Sequence, residues 1–143
     1  MEQIDYERIR MLISNLVSEY NTRNPFSLAR FLNIHIQETN VDVRCFKARV
    51  FLIDNNLGIM INKNFDTNTK KILCAHELAH ALLHKEHINH FGENGISSYK
   101  CESEANYFTL ELLSYQTNCD FTKYNADELQ TILDINIKVK GCL

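Results

Sequence analysis

Apolar residues in the first twenty positions recur with the period of an amphipathic helix. The period predicts a helix over residues 4–20, with one apolar face formed by Ile9, Leu12, Ile13, Leu16, Val17 and Tyr20. A second, shorter helix is predicted to begin at Asn24-Pro25, because asparagine caps helices well and proline suits the first helical position. The N-terminal part of the chain is therefore predicted to be helical.

Short runs rich in β-branched and aromatic residues follow this helical part. They predict strands at residues 34–37, 43–53 and 57–62, the last two joined as an antiparallel hairpin by the turn-forming Asp54-Asn55-Asn56. Further helices are predicted from residues 64–68 to about 87, over 100–115, and from Asn125, which has capping-box spacing to Glu128. Helices, a short sheet and then helices again indicate an α+β fold.

The amino-acid composition argues against several classes of protein. The chain has 143 residues, of which 45% are hydrophobic, and no repeat or linker divides it, so we expect a single domain over residues 1–143. Its net charge of −3 does not favour nucleic acid or an anionic membrane as a partner. The N-terminal residues do not resemble a signal peptide, and the five scattered cysteines form no CxxC pair, so we expect a cytoplasmic protein without disulfides.

The segment His76-Glu77-Leu78-Ala79-His80 carries the candidate chemistry, because it contains an H-E-x-x-H pattern within a predicted helix. Residues four apart on a helix project from the same face, so the two imidazoles can share one Zn²⁺. Glu77 is placed to remove a proton from a metal-bound water. The pattern thus predicts His76 and His80 as metal ligands and Glu77 as the general base.

The third ligand of such a site is not settled by spacing. Leu83 and Glu86 stand where an extended motif would place a glycine and a third histidine, which leaves a following helix as the source. Glu102 and Glu104 both lie on that predicted helix. Because they are two residues apart, they point in different directions and only one can face the metal.

Two longer segments, HELAHALLH and ESEANYFTLELL, resemble the ImmA/IrrE-type metallopeptidases of bacteria, phages and mobile elements. The resemblance covers about residues 20–115, although Ala79 replaces a usual glycine and Ser114-Tyr115 replaces a usual Met-Pro. It implies a zincin-like fold in which the H-E-x-x-H helix and a glutamate-bearing helix pack with a small sheet. It also assigns the third zinc ligand to Glu104, beside His76 and His80, with Glu77 as the base.

The resemblance further implies a zinc-dependent endopeptidase that cleaves or inactivates a helix-turn-helix repressor. One alternative is an anti-repressor, which is stabilised by its metal and binds the regulator without cutting it. Another is a hydrolase that acts on a non-protein amide. A peptidase also needs a donor to the developing oxyanion, and Tyr99, Tyr107 and His84 are candidates among which the sequence does not choose.

Overall fold

The computed structural model describes residues 3–89, 92–93 and 99–114, and it confirms the predicted α+β class. The helix predicted from Asn125 lies outside the described residues. In chain order, the larger elements are α1 (Tyr6–Tyr20), α2 (Pro25–Phe31), β1 (His35–Thr39), β2 (Ala48–Ile53), β3 (Asn56–Asn62), α3 (Thr67–Leu83) and α4 (Tyr99–Leu113). Between α3 and α4 lie a short 3₁₀ helix (Lys85–His87) and two-residue strands β4 (Ile88–Asn89) and β5 (Gly92–Glu93), which pair antiparallel.

Local capping fixes where the helices begin. The side chain of Asn24 accepts hydrogen bonds from the backbone N–H groups of Phe26 and Ser27, and Pro25 occupies the first turn of α2, as predicted. Asp66 caps α3 by accepting from the N–H of Thr69 at 2.7 Å. The helix that carries the H-E-x-x-H pattern therefore starts within the predicted polar segment.

The sheet has the strand order β1-β3-β2, so β3 lies in its centre. β2 and β3 form the predicted antiparallel hairpin, and both turn residues, Asp54 and Asn55, have positive φ angles (51° and 65°). This conformation matches the twist of paired strands, and Asp and Asn tolerate it. β1 pairs with β3 in parallel, in the register His35 to Gly58, which the local pattern did not predict.

The strand predicted over 43–53 is shorter in the structure, because β2 starts only at Ala48. The side chain of Asp42 accepts a hydrogen bond from the backbone N–H of Arg44 and two from its guanidinium, and the carbonyl of Asp42 accepts from the N–H of Cys45. This turn uses backbone groups that a strand would need for pairing. The guanidinium of Arg44 holds the pKa of Asp42 at about 2.

Helix α3 lies at the centre of the fold and is buried on nearly all sides from Ile72 to Ala81. It packs against β2 and β3 on one side and against α2 and α4 on others, while α1 packs on α4. Such a helix must bury any polar side chain that it carries. None of the helices in the described part of the chain combines the length and apolarity that a membrane crossing requires.

Candidate metal centre

The two histidines of the motif lie one turn apart on α3 and are completely buried. Their imidazole rings are nearly perpendicular, with centroids 4.8 Å apart, and the two Nε2 atoms approach to 3.3 Å. The predicted convergence of His76 and His80 on one point is therefore present in the structure.

The carboxylate that meets these imidazoles belongs to Glu102 of α4. Its Oε1 lies 3.1 Å from Nε2 of His76, and its Oε2 lies 3.1 Å from Nε2 of His80. Among the described residues, these three side chains form the only group of histidine, cysteine and acidic residues with the spacing of a metal site. Glu102 is therefore the acidic residue that the geometry selects.

The placement of Glu104 differs from the role that the family resemblance assigned to it. Glu104 is buried, but its Oε1 lies 2.9 Å from Nε2 of His84, away from the cluster. Two residues along an α-helix correspond to about 200° of rotation, so α4 cannot turn both carboxylates toward the same point. The geometry therefore favours Glu102, and not the Glu104 that the resemblance implies, as the third candidate ligand.

The three donor groups have nearly the spacing of the ligands in a tetrahedral zinc site. With bonds of about 2.05 Å, two donors in such a site lie about 3.3 Å apart. The Nε2 atoms of His76 and His80 lie 3.3 Å apart, and each lies 3.1 Å from one of the two carboxylate oxygens of Glu102. Oε2 of Glu102 is also buried, and apart from its 3.1 Å approach to Nε2 of His80 it has no hydrogen-bond partner among the described residues. The residues present thus fit a divalent ion with three protein ligands.

The carboxyl group of Glu102 is ionised although it is buried. Burial by itself raises the pKa of this carboxyl, but the hydrogen bonds and charges of His76 and His80 together outweigh that effect. The pKa of Glu102 consequently lies well below its ordinary range. An ionised carboxylate beside two imidazoles is a donor set that suits zinc.

Glu77 follows the first histidine and is also fully buried. Its Oε1 accepts a hydrogen bond of 2.9 Å from the backbone N–H of Val50 in β2. A hydrogen bond that an ionised carboxylate accepts from a backbone N–H is short and directional. This bond from β2 therefore fixes the orientation of the Glu77 carboxylate. No sequence signal identifies Val50, since it contributes only a backbone group.

The candidate oxyanion donors occupy different surroundings. The side chain of Tyr99 lies outside the described residues. The hydroxyl of Tyr107 accepts a hydrogen bond of 3.0 Å from Arg10, and its ring packs edge-on against Tyr6, so this side chain joins α4 to α1. His84 is buried beside the cluster, where its Nδ1 lies 3.0 Å from Nδ1 of His80. Burial lowers the pKa of His84, against the opposing effect of its bond to Glu104, and so favours the neutral ring.

Comparison with known proteins adds an independent line of support. The family model Peptidase_M78, described as the IrrE N-terminal-like domain, matches residues 29–128. A protein of Bacillus phage phi105, named "Uncharacterized immunity region protein 2", is 32% identical over 125 residues, which cover 82% of this chain and 78% of the phage protein. No solved structure matches the chain.

Proposed function

Because this chain belongs to the Peptidase_M78 family of IrrE N-terminal-like domains, we propose that it is a zinc-dependent endopeptidase. The observation that carries the proposal is the buried triangle of His76, His80 and Glu102, with Glu77 next to the first histidine on the same helix. The family match supports a metallopeptidase, and the triangle supports these three residues as the ones that would hold the metal.

Zinc suits this donor set better than other common ions. Imidazole nitrogens favour zinc over magnesium or calcium, which prefer oxygen ligands alone. Three protein ligands in a tetrahedral site leave one position for water or substrate, as catalytic zinc sites do. The ligand set therefore supports a catalytic role more than a purely structural one.

The proposed chemistry divides between the ion and the chain. Zinc, when bound, lowers the pKa of a coordinated water and polarises the scissile carbonyl. The carboxylate of Glu77 removes the proton from the attacking water and later delivers it to the leaving amine. The N–H of Val50 holds one oxygen of that carboxylate, so the base is oriented before substrate arrives.

The substrate we propose is a helix-turn-helix repressor in the cytoplasm of the host cell. The resemblance to ImmA/IrrE-type metallopeptidases supports this class of substrate. The similarity to a phage protein that is named for an immunity region supports the same setting. Cleavage or inactivation of the repressor would then release the genes that it silences.

The variant Glu77→Gln tests the proposal, with Glu111→Gln on α4 as the matched control. The parent and the control are incubated, zinc-loaded, with the repressor encoded beside this gene, and products are identified by mass spectrometry. We expect products of defined mass from both proteins. Glu77→Gln should retain zinc and lose cleavage by about 10²–10⁴-fold, the usual contribution of a general base.

A reporter gene under the repressor separates cleavage from binding. If Glu77→Gln relieves repression as fully as the parent does, the anti-repressor alternative is correct and the peptidase proposal is wrong. If the parent yields no peptide products from the repressor and also fails to relieve repression, the proposed substrate is wrong.

A further inference from the structure

A chain of hydrogen bonds extends from the candidate metal cluster into the protein. Nδ1 of His80 lies 3.0 Å from Nδ1 of His84, and Nε2 of His84 lies 2.9 Å from Oε1 of Glu104. The other oxygen, Oε2 of Glu104, accepts from the backbone N–H of Asp5 at 3.4 Å. His80, His84 and Glu104 are all buried. The chain thus ends at a carboxylate whose two oxygens both act as acceptors.

The acceptor at the end of this chain determines the position of each proton along it. Since Glu104 accepts, Nε2 of His84 must carry a hydrogen. A neutral imidazole has one N–H and one lone pair, so Nδ1 of His84 is an acceptor. Nδ1 of His80 must then be the donor, because two lone pairs cannot form the 3.0 Å contact.

The direction of the chain matters for the metal. Nε2 of His80 faces His76 and Glu102, and without an ion the Glu102 carboxylate attracts a hydrogen to that atom. With its hydrogen on Nδ1, His80 can direct the lone pair of Nε2 toward an ion instead. With the opposite tautomer, a hydrogen on Nε2 would occupy that position. The two tautomers therefore differ in whether His80 is ready to bind a metal.

We propose that His84 and Glu104 are positioning residues, which keep the hydrogen of His80 on Nδ1 and so prepare its Nε2 as a metal ligand. The inference rests on the proposed function, since it assigns these residues a role toward the zinc of the same site. It also gives Glu104 a role that differs from the ligand role implied by the family resemblance.

The variant Glu104→Gln should reverse the donor and acceptor roles along this series of hydrogen bonds, while the side chain keeps its size and shape. An amide has one acceptor and one donor group, whereas the carboxylate has two acceptors. The N–H of Asp5 requires the amide oxygen, which leaves the NH₂ group to face His84. His84 then accepts at Nε2 and donates from Nδ1, and His80 must accept at Nδ1 and carry its hydrogen on Nε2.

The test measures the zinc affinity of the full-length protein by competition with a chelator. Loss of a partner of this kind typically weakens metal binding about 10–100-fold, and we expect a loss in that range.

Two substitutions of His84 provide a rescue test. His84→Phe removes both hydrogen bonds, so zinc affinity should fall as it does in Glu104→Gln. His84→Gln supplies an amide oxygen that accepts from His80 and an NH₂ group that donates to Glu104, so it should recover most of the affinity. A purely structural role for His84 would not favour glutamine over the more apolar phenylalanine in this buried position.

The controls are Glu111→Gln on α4 and His35→Gln on β1, which lie outside the chain of hydrogen bonds. Both should bind zinc within twofold of the parent. The inference is overturned if the parent binds zinc and Glu104→Gln binds it equally well, or if His84→Gln binds zinc no better than His84→Phe. If neither the parent nor the controls bind zinc, the proposed function fails, and the inference that rests on it fails with it.

Discussion

Replacing Glu102 by glutamine tests which acidic residue completes the candidate metal centre. The structure places the carboxylate of Glu102 3.1 Å from Nε2 of both His76 and His80, whereas Glu104 contacts His84. An ion that binds only the folded chain stabilises it by RT ln(1 + [L]/Kd), which is about 2.7 kcal/mol when zinc is present at 100 times its Kd.

The shift in Tm that corresponds to this free energy depends on the length of the protein. The entropy of unfolding is about 2.1 cal/mol/K per residue, which gives about 0.3 kcal/mol/K for a chain of 143 residues. A stabilisation of about 2.7 kcal/mol should therefore raise Tm by about 9 °C. Thermal unfolding followed by circular dichroism, with and without zinc, measures the shift.

The two glutamine variants should differ at the same zinc concentration. If Glu102→Gln raises Kd by about 100-fold or more, the remaining stabilisation is at most about 0.4 kcal/mol and the shift at most about 1 °C. A tenfold loss in Glu104→Gln would leave about 1.4 kcal/mol and a shift of about 5 °C. A full shift in Glu102→Gln together with none in Glu104→Gln would refute the structural assignment and restore Glu104 as the ligand.

Two further predictions concern the framework around the site. In Gly58→Ala the new Cβ would lie 2.3 Å from Cζ of Phe51, so the ring must move. We expect the free energy of unfolding, measured with denaturant, to fall by about 1–3 kcal/mol, and Phe51→Leu in the same chain should restore part of it. An unchanged midpoint would contradict this prediction. Burial, followed by the charge of Glu77, raises the pKa of the Cys74 thiol, whereas Cys45 is exposed. Iodoacetamide should therefore modify Cys45 and spare Cys74 in the native protein, which peptide mass mapping measures. Modification of both at equal rates would contradict the buried position of Cys74.

The sequence predicted those parts of the fold whose cause is local. The apolar period of α1 reflects a helix that buries only one face, and the caps of α2 and α3 involve neighbours within three residues. The parallel pairing of β1 with β3 depends on contacts between distant segments, so no local pattern reports it. Helix α3 is buried on nearly all sides, and its apolar period consequently says little about which face meets the sheet.

The same distinction explains the outcome for the site. The spacing of His76 and His80 is a property of one helix, so their convergence could be predicted from the sequence. The choice between Glu102 and Glu104 depends on how α4 is rotated against α3, which spacing within α4 does not contain. Sequence reasoning therefore left both glutamates open, and the family resemblance selected the one that the structure places with His84.

His84, the residue that caps the C-terminus of α3, explains why the two glutamates have different partners. His84 follows His80 by one turn and is buried, so its ring nitrogens need partners within the protein. Glu104 satisfies one of them and His80 the other. If α4 instead turned Glu104 toward the Nε2 atoms of His76 and His80, Nε2 of His84 would lose its acceptor. Three histidines at intervals of four and two glutamates at an interval of two thus form one buried network, in which only Glu102 is left to complete a metal site.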